Sequence, residues 1–390
     1  MTALLLVLSF FSAIVLTFAA VDAWRFLGAW GGRIHIGRWS SPRDWQNALA
    51  ARALRWTKRT PAVPKKDQNR LVLWDILRGV HADSSIQGWQ LAGLVLGLDA
   101  HAREQNNAAL TGHLHELARS FPPEKETGGC AVDGMLLDYA LIVADAEHAR
   151  PRAERAAEKL LAHLTAAGTL PYRDWQASVR YVDTIGLACP LAAAAAALTG
   201  REELWKLALR QIEEYDIARL PASSLPAHGF ELERGYPLGL YDWSRGLGWY
   251  ALGLCEVYRH MSAAKHPATE TVAARITAFA AELLPLQKKT GGFGWMVARP
   301  ESVFESSGTA LLGQLMLTAW RIERDARFLD AARNAEQALM KVTRRNGTLD
   351  MCQGDTKGIG MYSDVWNIMP FAQGIALRLA VELGKEKGTA

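Results

Sequence analysis

Residues 185–198 read Ile-Gly-Leu-Ala-Cys-Pro-Leu-Ala-Ala-Ala-Ala-Ala-Ala-Leu, without a charge or a strongly hydrogen-bonding side chain. So much alanine favours a helix over a strand. A helix that is apolar all round offers no face to water and must be buried on every side. The chain has 390 residues, 49% hydrophobic and 22% charged, enough to build a shell round such a helix. From residue 67 on, strand signals are nearly absent. Helical patterns about 12–20 residues long recur between Gly and Pro punctuation. They fall at 69–80, 86–103, 108–120, 132–148, 152–167, 182–198, 202–214, 244–261, 269–287, 307–324, 326–342 and 365–383. Nearly apolar segments alternate with segments such as 152–167 that carry a charged face. Alternation in pairs predicts an all-α (α/α)6 barrel, six inner helices ringed by six outer ones.

Glycine turns precede several apolar segments, at 128–129, 168, 291–294 and 358–360. Polar residues follow near the expected helix starts: Asp133, Asp183, Arg245, Ser306, Ser307 and Asp364. If these helices form the inner ring they run parallel, and their first turns converge on one mouth. Asp and Ser also cap helices, so capping accounts for any one of them. Arg245 and the tryptophans at the same level are not cap residues.

The most specific segment is 241–252, Tyr-Asp-Trp-Ser-Arg-Gly-Leu-Gly-Trp-Tyr-Ala-Leu. Arg245 and Trp249 stand four apart on one helix face. A guanidinium can take a carboxylate with two parallel bonds while an indole stacks on a sugar ring. Fourteen tryptophans, against 11 Phe and 9 Tyr, lean toward carbohydrate, though large core side chains give the same composition.

Here the residues resemble a family, the unsaturated glucuronyl and rhamnogalacturonyl hydrolases of glycoside hydrolase families 88 and 105. Trp243-Ser-Arg-Gly-Leu-Gly-Trp249 is similar to the family's W-x-R-G-N-G-W. Upstream, Tyr181-Val-Asp-Thr-Ile-Gly-Leu-Ala-Cys-Pro190 is similar to its W-[VA]-D-[TD]-L-[FY]-M-x-x-P helix. Downstream, Phe304-Glu-Ser-Ser-Gly-Thr-Ala310 and the turn Gly292-Phe-Gly-Trp295 also have counterparts. The likeness spans residues 67–383 and implies an (α/α)6 barrel. It further implies that Asp183 is the general acid/base and Asp133 the second essential aspartate, with Asp138 as the fallback. His228, Trp243, Arg245, Trp249 and Ser306 become substrate-binding positions.

The implied reaction hydrates the C4=C5 double bond of a terminal unsaturated uronic acid on an oligosaccharide, after which the ring opens and the neighbouring sugar leaves. It needs an acid of raised pKa and no metal or other cofactor. Leu247 stands where the family has Asn, Tyr181 where it has Trp, and Gly186 where it has a bulky residue. All three changes are expected in the pocket lining. The alternative is a membrane-tethered (α/α)6 protein of surface-polysaccharide biosynthesis that binds or trims a nascent glycan without this hydration.

Residues 3–20 are apolar or small throughout, near the minimum length of a spanning helix. No Lys or Arg precedes them, and eight lie between residues 25 and 60. By the positive-inside rule this predicts an anchor in a bacterial-type inner membrane with the barrel in the cytoplasm. Export to the periplasm, with a cleaved signal, is the alternative. The expected domains are therefore 1–24 (anchor or signal), 25–66 (juxtamembrane linker with an amphipathic candidate at 42–56) and 67–390 (barrel). A net charge of +4, without a nucleic-acid-binding motif, gives no ground for a nucleic-acid partner. Four scattered cysteines show neither disulfide-framework nor zinc spacing.

Overall fold

Apolar and amphipathic helices alternate along the chain, which the computed structural model describes at residues 2–61, 63, 72–77, 88–121, 132–216, 225–356 and 358–386. In order, the first helices are α1 (Thr2–Arg33), α2 (Pro42–Lys58), α3 (Val72–Leu77), α4 (Gly88–Gln105), α5 (Ala108–Ser120), α6 (Val132–Ala144) and α7 (Arg150–Ala162). Strand β1 (Val179–Tyr181) leads into α8 (Val182–Thr199) and α9 (Glu202–Asp216). Strands β2 (Gly229–Glu231) and β3 (Tyr236–Leu238) precede α10 (Ser244–Ala264), α11 (Thr269–Leu283), α12 (Ser306–Glu323) and α13 (Ala326–Lys341). Strands β4 (Cys352–Gln353) and β5 (Trp366–Asn367) precede α14 (Pro370–Lys385).

The even-numbered helices from α4 to α14 form a closed ring, each packed on the next and α14 returning to α4. Helix α8 is buried without a break from Thr184 to Ala196, as a helix apolar all round must be. The outer helices bury a single stripe. In α9 it is Leu204, Trp205, Leu207, Ala208, Gln211, Ile212 and Tyr215, the three-and-four spacing of one helix face. Helices α5, α7, α9, α11 and α13 pack on the ring from outside, and α2 lies across α14 and α4. The architecture is the (α/α)6 barrel.

Matching positions show that the inner helices run parallel. Gly88 lies over Asp133 at one end of α4 and α6, and Arg103 reaches the Val143 carbonyl at the other end, 2.8 Å away. Gly308 faces Ser244 and Leu311 faces Gly248 in the same sense. Their first turns therefore share one end, the mouth, where β1–β2–β3 and β4–β5 also lie.

Three expectations change. Residues 42–58 are not part of a linker. Ser41 caps α2 and Pro42 opens it, while Trp45, Leu49 and Ala53 have no exposure. The barrel thus begins before residue 67, and α2 takes the ring place expected for 69–80. Of that segment the structure describes only α3, which packs on α1. Finally, α14 starts at Pro370, so Asp364 sits six residues ahead of it in a loop. The Gly128-Gly129 turn and Cys130 lie outside the described residues.

The ring closes through glycines. A Cβ on Gly374 of α14 would stand 1.8 Å from the Gly93 carbonyl oxygen of α4, and one on Gly97 would stand 2.2 Å from the Gly374 carbonyl. Backbone meets backbone there with no side chain to yield. Gly374→Ala is expected to destabilise the barrel by about 3 kcal/mol or more, at or above the usual cost of overpacking. Urea unfolding measures this, and an unchanged midpoint would show that the two helices separate at little cost.

Candidate active site

Two short strands set the central pair. Tyr181 of β1 faces Gly229 of β2, and the Val182 amide donates to the His228 carbonyl at 2.9 Å. This places His228 beside the first turn of α8, with Nε2 3.5 Å from Asp183 Oδ2. That oxygen is enclosed and has no hydrogen-bond partner. The Leu240 amide donates to the Tyr362 hydroxyl at 2.8 Å, and His228 Nδ1 lies 3.1 Å from the same oxygen. Burial, with Asp183 and Asp242 nearby, pushes the Tyr362 phenol up to about 12. It therefore keeps its proton, which is available to His228 Nδ1. Trp243 packs on His228 with ring centres 4.4 Å apart, and Tyr362 lies 5.4 Å from the same ring.

Asp133, in the first turn of α6, accepts from the Tyr172 hydroxyl at 2.8 Å and from Arg173 Nη2 at 2.5 Å. Tyr172 stacks on Tyr181 at 4.6 Å, and the Arg173 guanidinium lies over the Tyr172 ring at 4.2 Å. Burial, then the charges of Asp133 and Asp183, raise the Tyr172 phenol well above its ordinary value. Its hydroxyl thus stands in the field of both carboxylates. Asp138, by contrast, pairs with Arg152 of α7 at 2.6 Å, away from the mouth.

Asp133, Asp183 and His228 come together at the mouth. Arg245, Trp249 and Ser306 do not open onto it. Arg245 is 1% exposed, and its Nη1 and Nη2 donate to the Gln353 and Gly354 carbonyls at 2.6 and 2.7 Å. Trp249 lies in the core against Trp89 and Phe371. The Ser306 hydroxyl donates to the Asp350 carbonyl at 2.5 Å, also fully buried. Trp243 is buried as well, its indole N–H donating to the Gln353 side chain at 3.0 Å.

The departures from the family pattern fall the same way. Leu247 is a core residue, and a Cβ on Gly186 would come within 2.8 Å of the Trp249 ring. Only Tyr181 borders the site. Sequence reading missed Tyr172, Arg173 and Tyr362, which lie in loops without periodicity. The one available signal was Tyr172-Arg173, placed shortly before the Val-Asp-Thr motif.

A parallel inner ring whose acids and aromatic side chains meet at one mouth is the architecture of the six-hairpin glycosidases. Residues 88–387 match the model of Glycosyl Hydrolase Family 88, and the chain belongs to that family. A possible member of family GH105 from Salmonella enterica serovar Paratyphi A is similar in structure, with TM-score 0.70, 16% identity, and 90% of this chain and 96% of that one covered. The unsaturated glucuronyl hydrolase of Bacillus sp. GL1, described as responsible for the degradation of glycosaminoglycan, gives 0.61, 19%, 88% and 97%. A GH105 glycoside hydrolase of C. acetobutylicum gives 0.67, 13%, 86% and 98%. The comparison with curated proteins found no match. The protein is a glycoside hydrolase.

The raised phenols have a consequence for stability. Above about pH 10 the unfolded chain releases tyrosine protons, while Tyr362 holds its own up to about 12. The unfolded state then binds fewer protons than the native one, so stability falls as pH rises between these values. Tyr362→Phe is expected to make that fall shallower in urea unfolding measured across the range. Superimposable pH dependence in variant and wild type would show that the phenol ionises as it does in water.

Proposed function

We propose that the enzyme hydrates the C4=C5 double bond of a terminal unsaturated uronic acid on an oligosaccharide, with Asp183 as the proton donor. The observation that carries this reading is the position of the Asp183 carboxyl, in the first turn of α8 at the mouth, 3.5 Å from His228 and only partly buried. An acid so placed has an oxygen available for proton transfer.

Asp183 gives its proton to C4, and the positive charge that forms is shared between C5 and the ring oxygen. Asp133, held by Tyr172 and Arg173, stands where a negative charge supports that cation. Water then attacks C5 and returns a proton to the Asp183 carboxylate. The resulting hemiketal opens, and the neighbouring sugar leaves. Arg173, about a third exposed, presents the guanidinium that Arg245 does not, and is the residue we assign to the uronate carboxylate. Family membership and the structural likeness to unsaturated glucuronyl hydrolases support this chemistry.

A second reading concerns place. Helix α1 is long and apolar enough to cross a membrane, and its apolar window has no buried residue. This favours a membrane anchor, the eight Lys and Arg between residues 25 and 60 favour the cytoplasmic side for the barrel, and both suit a role on membrane-associated polysaccharide.

Asp183→Asn keeps the side chain's size, so folding is expected to survive while turnover falls by roughly 10²–10⁴-fold. The assay follows the loss of ultraviolet absorbance from unsaturated uronyl disaccharides, and near-normal turnover would remove Asp183 from the role. Arg173→Gln is expected to raise KM for the same substrates by about tenfold or more, the worth of a charged hydrogen bond. An unchanged KM would assign the carboxylate to another group.

A further inference from the structure

Among the described residues, the large exposed apolar side chains are confined to one end of the molecule. Beyond Ile34 and outside α3, the large hydrophobic residues left open among those described are Trp175, Tyr236, Val303 and Met361. Each stands on a segment that leads into an inner helix: Trp175 ahead of α8, Tyr236 ahead of α10, Val303 ahead of α12 and Met361 ahead of α14. All four therefore belong to the mouth. At the opposite end, where the inner helices finish, no described residue of this kind is exposed.

Helix α1 leaves from the same end. Arg33, its last residue, donates from Nε and Nη2 to Asp350 at 2.7 and 3.0 Å and from Nη2 to the Trp366 carbonyl at 3.2 Å. Asp350 is fully buried and also receives Arg344 at 2.8 Å. Its carbonyl accepts from Ser306, the first residue of α12. Four residues after Arg33, the Gly37 amide donates to the Thr343 carbonyl at 2.9 Å. The apolar run ends at Ala20, thirteen residues or about 20 Å before Arg33, and α1 is continuous helix between them. Trp30 is three residues from Arg33, about 5 Å along the axis at 1.5 Å per residue.

No described side chain of α1 is buried. Its last turns expose Trp24, Phe26, Leu27 and Trp30, and α3, packed on α1, exposes Trp74 and Leu77. Indole rings at the end of an apolar helix are the pattern of a membrane–water interface. Here that level lies beside the barrel mouth.

We propose that the mouth of the barrel rests against the lipid surface in which α1 is embedded, so that the site takes glycan ends held at the membrane. The proposal rests on reading α1 as an anchor. The latch fixes which end of the barrel faces the bilayer. Trp175, Tyr236, Val303 and Met361 are the side chains that enter the headgroup region.

The test uses the full chain in vesicles of phosphatidylethanolamine and phosphatidylglycerol, some carrying a headgroup-region nitroxide quencher. An environment-sensitive fluorophore is attached at Met361→Cys or Trp175→Cys for the mouth and at Glu147→Cys for the far end. The unsubstituted chain serves as the blank for native cysteines. The mouth labels are expected to lose most of their emission to the quencher while the Glu147 position keeps its own. Equal quenching of mouth and far-end labels, with the protein sedimenting with the vesicles, overturns the orientation and leaves the anchor reading standing. Protein that stays in the supernatant overturns both. Arg33→Ala leaves Asp350 paired with Arg344, so it is expected to fold and sediment while the contrast between the two ends collapses. Retention of the contrast in that variant would overturn the latch as its cause.

Discussion

A guanidinium stays protonated at any pH the protein meets, so burying Arg245 to 1% exposure obliges the chain to bring acceptors to it. Those acceptors are the carbonyls of Gln353 and Gly354, more than a hundred residues downstream, and their recruitment shapes the mouth. Once there, Gln353 accepts from the Trp243 indole through its side chain and donates to the Ser363 carbonyl. Trp243 and Tyr362 then bracket His228, and His228 faces Asp183. Up to His228 the contacts are buried and the polar groups of Arg245, Gln353 and Trp243 are used, and such networks rigidify what they hold. The group expected to bind substrate fixes instead the wall against which the proposed acid works.

Asp350 performs the complementary task at the outer edge of the same wall. Burial alone would push this carboxyl up. Arg33 and Arg344 overcome that and hold it below the usual range. One carboxylate thereby ties the end of α1 to the segment that carries Gln353, and its carbonyl ties the same segment to the start of α12. The N-terminal helix and the mouth share a joint.

What was legible in the sequence was what repeats. The stretch 185–198 demanded burial, and α8 is buried along it as far as Ala196. The alternation of apolar and amphipathic segments gave the ring, and three ordered motifs gave the family. Helix α2 was placed in a linker because arginines and breakers surround it, although Trp45, Leu49, Ala53 and Trp56 keep a helical spacing. The burial of Arg245 and Ser306 was hidden for a different reason. Their partners are carbonyl oxygens at residues 350–354, and a backbone oxygen carries no signature in sequence. Tyr172, Arg173 and Tyr362 stand in loops, where no periodicity marks which side chain turns inward. Position along a helix was readable, and the occupant of the space facing it was not.

Two acids at the mouth show where structure ends and chemistry begins. Glu305 precedes α12 and is fully buried. Its oxygens accept from the Ser307 and Gly308 amides, the Ser307 hydroxyl, the Gln353 amide and the Ser244 hydroxyl. It is a cap in full use. Asp183 lies in the first turn of α8, in a position where an aspartate also favours a helix. Yet α8 has no side-chain cap, and Oδ2 of Asp183 is enclosed without a hydrogen bond. Leaving such an oxygen unpaired costs about 1–3 kcal/mol, a cost the fold avoids at Glu305. A helix start needing only stability would use Asp183 as it uses Glu305. An acid outside the cap position, beside a histidine and under a wall fixed by a buried arginine, suits the proton-donor role proposed for it, and capping leaves it unexplained.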